Sequence, residues 1–303
     1  MRVLRWLSGL TVVLILGLGF VWWYDHVGQR ADPSFDAHVS SPAYPVAGKS
    51  HPRVLMDEGH RNFHTAAGRY KAFADLLTSD GYIVAANKGT FSATALEQAN
   101  VLVIANAMGP EDHEGRPAFT PEEELTVTEW VRKGGSLFLI ADHAPFGYAA
   151  ARLAKEFGVT MYLRFARDDR FHDGWDNERL DFSRANGLLA DNAITNGRSA
   201  DKKVNRVVTF TGQSLSGPPD SMPLLRLSDG AYDWESRKVR FPAKGHCQAL
   251  ALNFGSGRVV VSGEAALFSA QVDPLGMKFG MNRAGNDDRQ FLLNILHWLS
   301  RAY

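Results

Sequence analysis

Ser136-Leu137-Phe138-Leu139-Ile140-Ala141-Asp142-His143-Ala144-Pro145-Phe146-Gly147 is the stretch whose reading decides the fold. An unbroken apolar run entered through Gly134-Gly135 is the pattern of a strand buried on both faces of a parallel sheet. The run ends in an acid and an imidazole, then in Pro and Gly, and helical periodicity follows from Tyr148 to Phe157. Strand, tight turn and helix in that order put Asp142 and His143 in the crevice outside the strand carboxyl ends, where open α/β sheets bind ligands.

Upstream, Arg53-Val54-Leu55-Met56 reads as a first strand that runs into the polar cluster Asp57-Glu58-Gly59-His60-Arg61-Asn62-Phe63-His64. A helix is expected from Gly68 to Ser79, with Tyr70, Phe73, Leu76 and Leu77 on one stripe and Gly81 as its stop. Strands follow at Tyr82–Ala85 and Val101–Ile104, the second ending at Asn106, with a short helix between them that Thr94 can cap. Thr120-Pro121-Glu122-Glu123 is a helix start, with Thr as N-cap, Pro in the first turn and Glu at the capping-box position. This alternation from Arg53 to Gly158 predicts an α/β domain with a doubly wound parallel sheet and right-handed crossovers.

Periodicity then fails over residues 160–201, which reads as a lid-like insertion across the carboxyl edge of the sheet. Further strands are expected at Asn205–Phe210, Met222–Leu227, Cys247–Leu252 and Val259–Ser262, with a hairpin turn at Phe254–Arg258. The last helix, Asp287–Arg301, packs through Phe291, Leu292, Ile295, Leu296 and Leu299, and Asn286 or Asp287 can cap it.

The 33 basic and 33 acidic residues of the 303-residue chain balance. A nucleic-acid partner, which needs a basic face, is therefore not expected. The single cysteine, Cys247, excludes an internal disulfide framework and a multi-cysteine zinc site. At the N-terminus, Arg2 and Arg5 precede an uncharged run from Trp6 to Tyr24 that closes on Trp22-Trp23-Tyr24. Its length is close to the ~20 residues that cross a bilayer, and the aromatic end suits the far interface. A cleaved signal peptide is the rival reading, but no small-x-small site follows the run. The expected organisation is a transmembrane anchor at 1–24, a Pro-rich tether at 25–52 and the α/β domain at 53–303. This makes a single-pass protein of the cytoplasmic membrane with its domain on the extracytoplasmic side.

A parallel sheet would gather Glu58, His60, Asn62, His64, Asn106, Asp142, His143, Gln213 and Glu264 beyond its strand ends. Asn282, Asn286 and Asp287 would lie near the rim. Asp142, His143, Glu58 and Glu264 are the candidate catalytic groups, because a carboxylate and an imidazole share acid and base roles. His60 and His64 are candidate ligands for a divalent metal, at a spacing that suits one only on a helix. Asn62, Asn106, Gln213, Ser214 and Asn286 form a mostly neutral set suited to a small polar or glycan-like ligand. Plain structural roles compete with each of these: Asp142 is equally placed to cap the following helix, and Asn286 the last one.

The strand ends Val54-Leu55-Met56-Asp57-Glu58-Gly59-His60, Val103-Ile104-Ala105-Asn106, Gly134–His143 and Gly263-Glu264-Ala265 together resemble the class I glutamine amidotransferase-like superfamily. The resemblance spans most of Arg53–Ser300 and is nearest to a membrane-associated branch close to the trehalose-utilisation (ThuA-like) and gliding-motility-associated domains. It implies a flavodoxin-like sheet. Glutaminases of that superfamily carry a nucleophilic cysteine on the turn after the strand that corresponds to Ser136–Ala141. Here the turn holds Asp142-His143-Ala144, so the acyl-enzyme route from glutamine has no nucleophile. Two functions follow: a ligand-binding or complex-assembly module without that thiol, or a hydrolase, metal-assisted or not, that works through the Asp/His/Glu crevice.

Overall fold

The computed structural model describes residues 28–45, 51–110 and 116–302. The expected transmembrane run lies outside these residues, and among the described ones no helix is long and apolar enough to cross a membrane.

Five parallel strands form one side of the main sheet: β1 (Arg53–Asp57), β2 (Ile83–Asn87), β3 (Val101–Ala105), β4 (Ser136–Ile140) and, from much later in the chain, β9 (Gly257–Ser262). Their spatial order is β2-β1-β3-β4-β9, and every neighbouring pair among them is parallel. This is the flavodoxin-like order, whose switch point falls between β1 and β3. Side chains alternate between two cores. Phe138 and Ile140 of β4 join the cluster that contains Phe73 and Leu77 of α1 (Lys71–Ser79) and Phe291 and Ile295 of α5 (Asp288–Leu299). Leu137 and Leu139 join the opposite cluster with Leu96 of α2 (Ala93–Glu97), Val127 and Val131 of α3 (Pro121–Arg132) and Leu153 of α4 (Phe146–Glu156). Both faces of β4 are therefore dry, which is why it reads as a continuous apolar run.

Local signals account for the helix ends. Thr120 accepts from the Glu123 amide, while the Glu123 carboxylate accepts from the Thr120 amide at 3.0 Å. Gly81 closes α1 with φ +94°, and a Cβ there would sit 1.9 Å from the Tyr44 carbonyl oxygen. The cap of α2 is Ser92 rather than Thr94.

The chain pattern predicts a parallel sheet, and the structure departs from it beyond β9. Beyond β9 come β8 (Cys247–Phe254), then β6 (Leu215–Ser216) and β5 (Thr160–Met161), with β7 (Met222–Arg226) also on β8, and all of these pairings are antiparallel. The tight turn at Gly255-Ser256 imposes this, since two strands joined by a hairpin can only run in opposite directions. The turn is anchored by the Ser256 amide, which donates to the Arg132 carbonyl at the end of α3.

The segment 160–201 contributes β5 to the main sheet and Phe165–Arg167 to a three-stranded antiparallel sheet with Tyr232–Ser236 and Val239–Pro242. Asp181–Ser183 pairs with Arg206–Val208, so the strand expected at Asn205–Phe210 forms outside the main sheet. The tether expected over 25–52 is pinned to the domain in its described part. Arg30–Ala31 pairs with Ala270–Val272, the Val39 amide donates to Ser79, the Ala43 amide donates to Asp80, and the Tyr44 hydroxyl donates to Ser300. Phe35 and Tyr44 pack on the core, and these two rings make a Pro-rich stretch adhere instead of swinging free.

Cys247 is buried in β8, where its thiol faces the Leu215 carbonyl at 3.6 Å and burial pushes its pKa up to about 12. Cys247→Ala should lower the unfolding free energy by only about 1 kcal/mol in a denaturant titration. The native thiol should stay unmodified by an aromatic disulfide reagent at pH 8 until the protein is unfolded.

Candidate functional site

Three carboxyl-terminal strand ends are knotted together. Asn106, just past β3 and held in the left-handed region at φ +46°, receives the Asp142 amide on its side-chain oxygen at 2.9 Å. Its amide nitrogen donates to Asp142 Oδ2 at 2.6 Å. The other carboxylate oxygen, Oδ1, accepts from the Ala265 amide at 2.7 Å, just beyond β9. Glu264, fully buried, accepts from the amides of Ala266 and Leu267 at 2.7 and 2.8 Å, which fixes a short 3₁₀ turn over Ala266–Phe268. The Tyr70 hydroxyl donates to the Ala265 carbonyl and ties α1 to the same knot. Burial drives Asp142 up to about 7 despite its donors, and burial followed by the Asp142 charge holds Glu264 well above the carboxylate range. Asp142 caps no helix: α4 begins after Pro145, with no side-chain cap.

His60 lies in a second arrangement. Its Nδ1 contacts both Asp57 oxygens, at 2.9 and 3.0 Å, and its Nε2 contacts Glu123 at 2.9 Å, while Phe91 and Phe119 pack against the ring. Asn62 completes the loop by donating to Asp57 and accepting from the His60 amide. Burial lowers the His60 pKa, but Asp57 and Glu123 outweigh it and hold the imidazole above its ordinary value. With both nitrogens engaged, His60 has no lone pair for a metal. His64 is buried against Tyr70 and Phe63, its two nitrogens have no hydrogen-bond partner, and burial followed by the charge of Arg69 lowers it to about 3. The expected metal pair is therefore not formed. The segment is a loop with Arg61 at φ +53°, not the helix that the His-x-x-x-His spacing needs to present both rings to one ion. Among the described residues no group of three His, Cys, Asp or Glu side chains is placed to hold an ion.

The other expected groups have structural engagements. Glu58 accepts from the Ala66 amide and closes the loop after β1. Gln213 donates to the carbonyls of Ala141 and Asp142 and accepts from the Leu163 amide, which braces the turn after β4. The Ser214 hydroxyl donates to Asp233 at 2.8 Å and meets His246 Nδ1 at 3.1 Å, at the joint between the main sheet and the three-stranded one. Asn286 accepts from the Asp288 amide at the start of α5, the capping role open to it, and its amide donates to Gly280. Asn282 is taken up by Asp32 and Gln271.

His143 is the exception. Its Nδ1–H donates to the Ala144 carbonyl at 2.7 Å and its ring stacks on Phe165 at 3.8 Å, leaving Nε2 without a partner among the described residues. Burial lowers its pKa, only partly offset by the Ala144 bond, so the neutral ring carries a lone pair on Nε2. Beside it opens a cleft of about 350 Å³ lined by Tyr148, Leu163, Arg164, Phe165, Trp234 and Glu235. Arg164 pairs with Glu235 at 3.3 Å. No sequence motif points to these residues. They converge because Trp234 lies opposite Phe165 in the register of the small sheet.

No family model and no curated protein matches the chain. Among solved structures, the mmIFT52 N-terminal domain aligns at a TM-score of 0.60 and 14% identity, covering 82% of this chain and 97% of that one. Cytoplasmic protein STM3548 from Salmonella typhimurium aligns at 0.51 and 13%, covering 82% and 98%. A ThuA-like protein from Bacteroides uniformis aligns at 0.43 and 14%, covering 88% and 95%. The first two likenesses establish a shared mixed α/β fold built on a parallel-stranded sheet. At these identities they carry no activity across.

Two predictions test the two arrangements. Asp142→Ala strands the donors of Ala265 and Asn106 and should cost about 1–3 kcal/mol in a denaturant titration at neutral pH. For His60, a raised folded pKa means that its contribution is fully present below the unfolded value of about 6.5 and fades as pH rises through the folded one. The stability gap between wild type and His60→Gln should therefore be wide at pH 6 and narrow by pH 9, as read from melting curves.

Proposed function

We propose that this chain is a thiol-free member of the class I glutamine amidotransferase-like superfamily, in its membrane-associated branch. On this reading the N-terminal apolar run anchors it, its domain faces the extracytoplasmic side, and it binds a small polar or sugar-like ligand or serves complex assembly. The observation that carries the binding reading is the cleft beside His143. It sits at the carboxyl edge of β4, where α/β sheets take ligands, and combines aromatic faces with a donor and an acceptor in Arg164 and Glu235. Hydroxyl groups donate and accept at once, so a neutral polyhydroxyl molecule matches that pair better than an anion does. The loss of amidotransferase chemistry is supported by the turn after β4, which offers no thiol, and by the burial of Cys247.

The second reading is a hydrolase, and one observation favours it: the unpartnered Nε2 of neutral His143 has the form of a general base. Calorimetric titration of the full-length protein with neutral mono- and disaccharides separates the readings. Saturable binding that Trp234→Ala and Tyr148→Ala weaken by about tenfold, with no turnover, supports the module; each tenfold loss corresponds to ~1.4 kcal/mol. Turnover of a glycoside or ester that His143→Ala abolishes supports the hydrolase instead. Release of ammonia from glutamine would overturn the thiol-free assignment.

A further inference from the structure

An exposed apolar patch is formed by residues that do not line the cleft. Trp175 is 83% exposed, Leu275 65% and Met277 37%. Arg179 joins them: its guanidinium donates to the Met277 sulfur at 3.2 Å and lies 5.9 Å from the Trp175 ring centre. The turn that presents Leu275 is rigid. The carboxylate of buried Asp273 accepts from the amides of Leu275 and Met277, and its backbone bonds to both Met277 and Gly276. A well-ordered turn that holds its largest apolar side chain out into water is costly unless something covers it.

The chain itself says what lies nearby. Arg30 pairs with Val272 and Ala31 with Gln271 in antiparallel register, so the backbone before Arg30 heads toward Asp273 and the turn. The uncharged run ends at Tyr24, with Trp22 and Trp23 beside it. Even fully extended, the chain from Tyr24 to Arg30 spans at most about 20 Å. If the run crosses a bilayer, its aromatic end lies at the interface and the patch is held close to that interface. Aromatic rings and large aliphatic groups on such a turn are what headgroup regions accept, and exposed Arg30 adds a cation suited to lipid phosphates, while Lys278 on the other side is paired with Asp32 at 2.9 Å.

We infer that Trp175, Leu275 and Met277 form a lipid-contacting surface that seats the domain on the bilayer and fixes its orientation. This inference rests on the anchor reading proposed above. It gives the pinned segment Arg30–Ala31 a purpose: its strand pairing fixes which face of the domain turns toward the membrane.

The test uses full-length protein carrying Cys247→Ala, labelled at position 275 through Leu275→Cys with an environment-sensitive fluorophore, in phosphatidylcholine vesicles. A second protein is labelled through Leu125→Cys, an exposed position on α3. That helix packs on the opposite face of the sheet from Ala270 and Met281, which flank the patch. Flotation with the vesicles reports the anchor independently. The expected result is blue-shifted emission at 275 that is quenched by lipid spin-labelled near the headgroup, with neither effect at 125, and loss of the quenching when Trp175→Ser and Met277→Ser are added. Protein that floats while 275 stays as water-exposed as 125 overturns the surface and leaves the anchor standing. Protein that does not float overturns both. A blue shift that tracks protein density and is insensitive to spin-labelled lipid identifies self-association instead, and also overturns the inference.

Discussion

The bidentate engagement of the Asp142 carboxylate holds the carboxyl edge of the sheet together. One oxygen takes the Asn106 amide and the other the Ala265 backbone N–H, so the ends of β3, β4 and β9 are joined through a single side chain. A carboxylate in such a place is unfavourable unless every lone pair is answered, and here the answers come from elements far apart in sequence. Asn106 adopts a positive φ to present its side chain, and Glu264, next to Ala265, accepts from the first two amides of the 3₁₀ turn, while Asp142 takes the Ala265 amide just before it. Burial opposes ionisation of both acids, and their proximity adds to it, so this edge holds negative charge reluctantly.

Around the knot the polar groups that resemble catalytic machinery are mostly committed to architecture. His60 bridges Asp57 and Glu123, so the loop after β1 is clamped to the first turn of α3 through a capping box that also engages Phe91. Gln213 braces the turn after β4, and Ser214 anchors the small sheet through Asp233. Such buried hydrogen-bond networks impart rigidity and a unique geometry. Among the described residues at this edge, the His143 Nε2 stays without a hydrogen-bond partner, next to the aromatic cleft that Phe165 lines.

The same logic governs the outer surface. Residues 30–45 hold to the domain through strand pairing and two packed rings, so this stretch runs along the α/β body from the Ala270–Val272 strand to α1. The fold likeness to the mmIFT52 N-terminal domain concerns the α/β architecture and says nothing of this attachment.

The amino-acid sequence by itself determined the β-α alternation from Arg53 to Gly158, the capping box at Thr120, the doubly buried character of β4 and the hairpin at Gly255-Ser256. Each of these is a local consequence of side-chain periodicity, caps or glycine conformation. It also placed Asn106, Asp142 and Glu264 at strand ends, because parallel strands put all their carboxyl termini on one edge. Only the tertiary structure decided what those residues do. Whether Asp142 caps α4 or crosslinks β9 depends on where Ala265 comes to lie, more than a hundred residues along the chain. Whether His60 binds metal depends on Glu123 arriving at its other nitrogen. Beyond the β8–β9 hairpin, the docking of β5, β6 and β7 on the antiparallel side, the small sheet that carries Trp234 opposite Phe165, and the cleft beside it arise from pairings made by short strands in 160–242. Such strands have too few residues to show a period, and a contact between two of them is a property of register, which no single segment encodes.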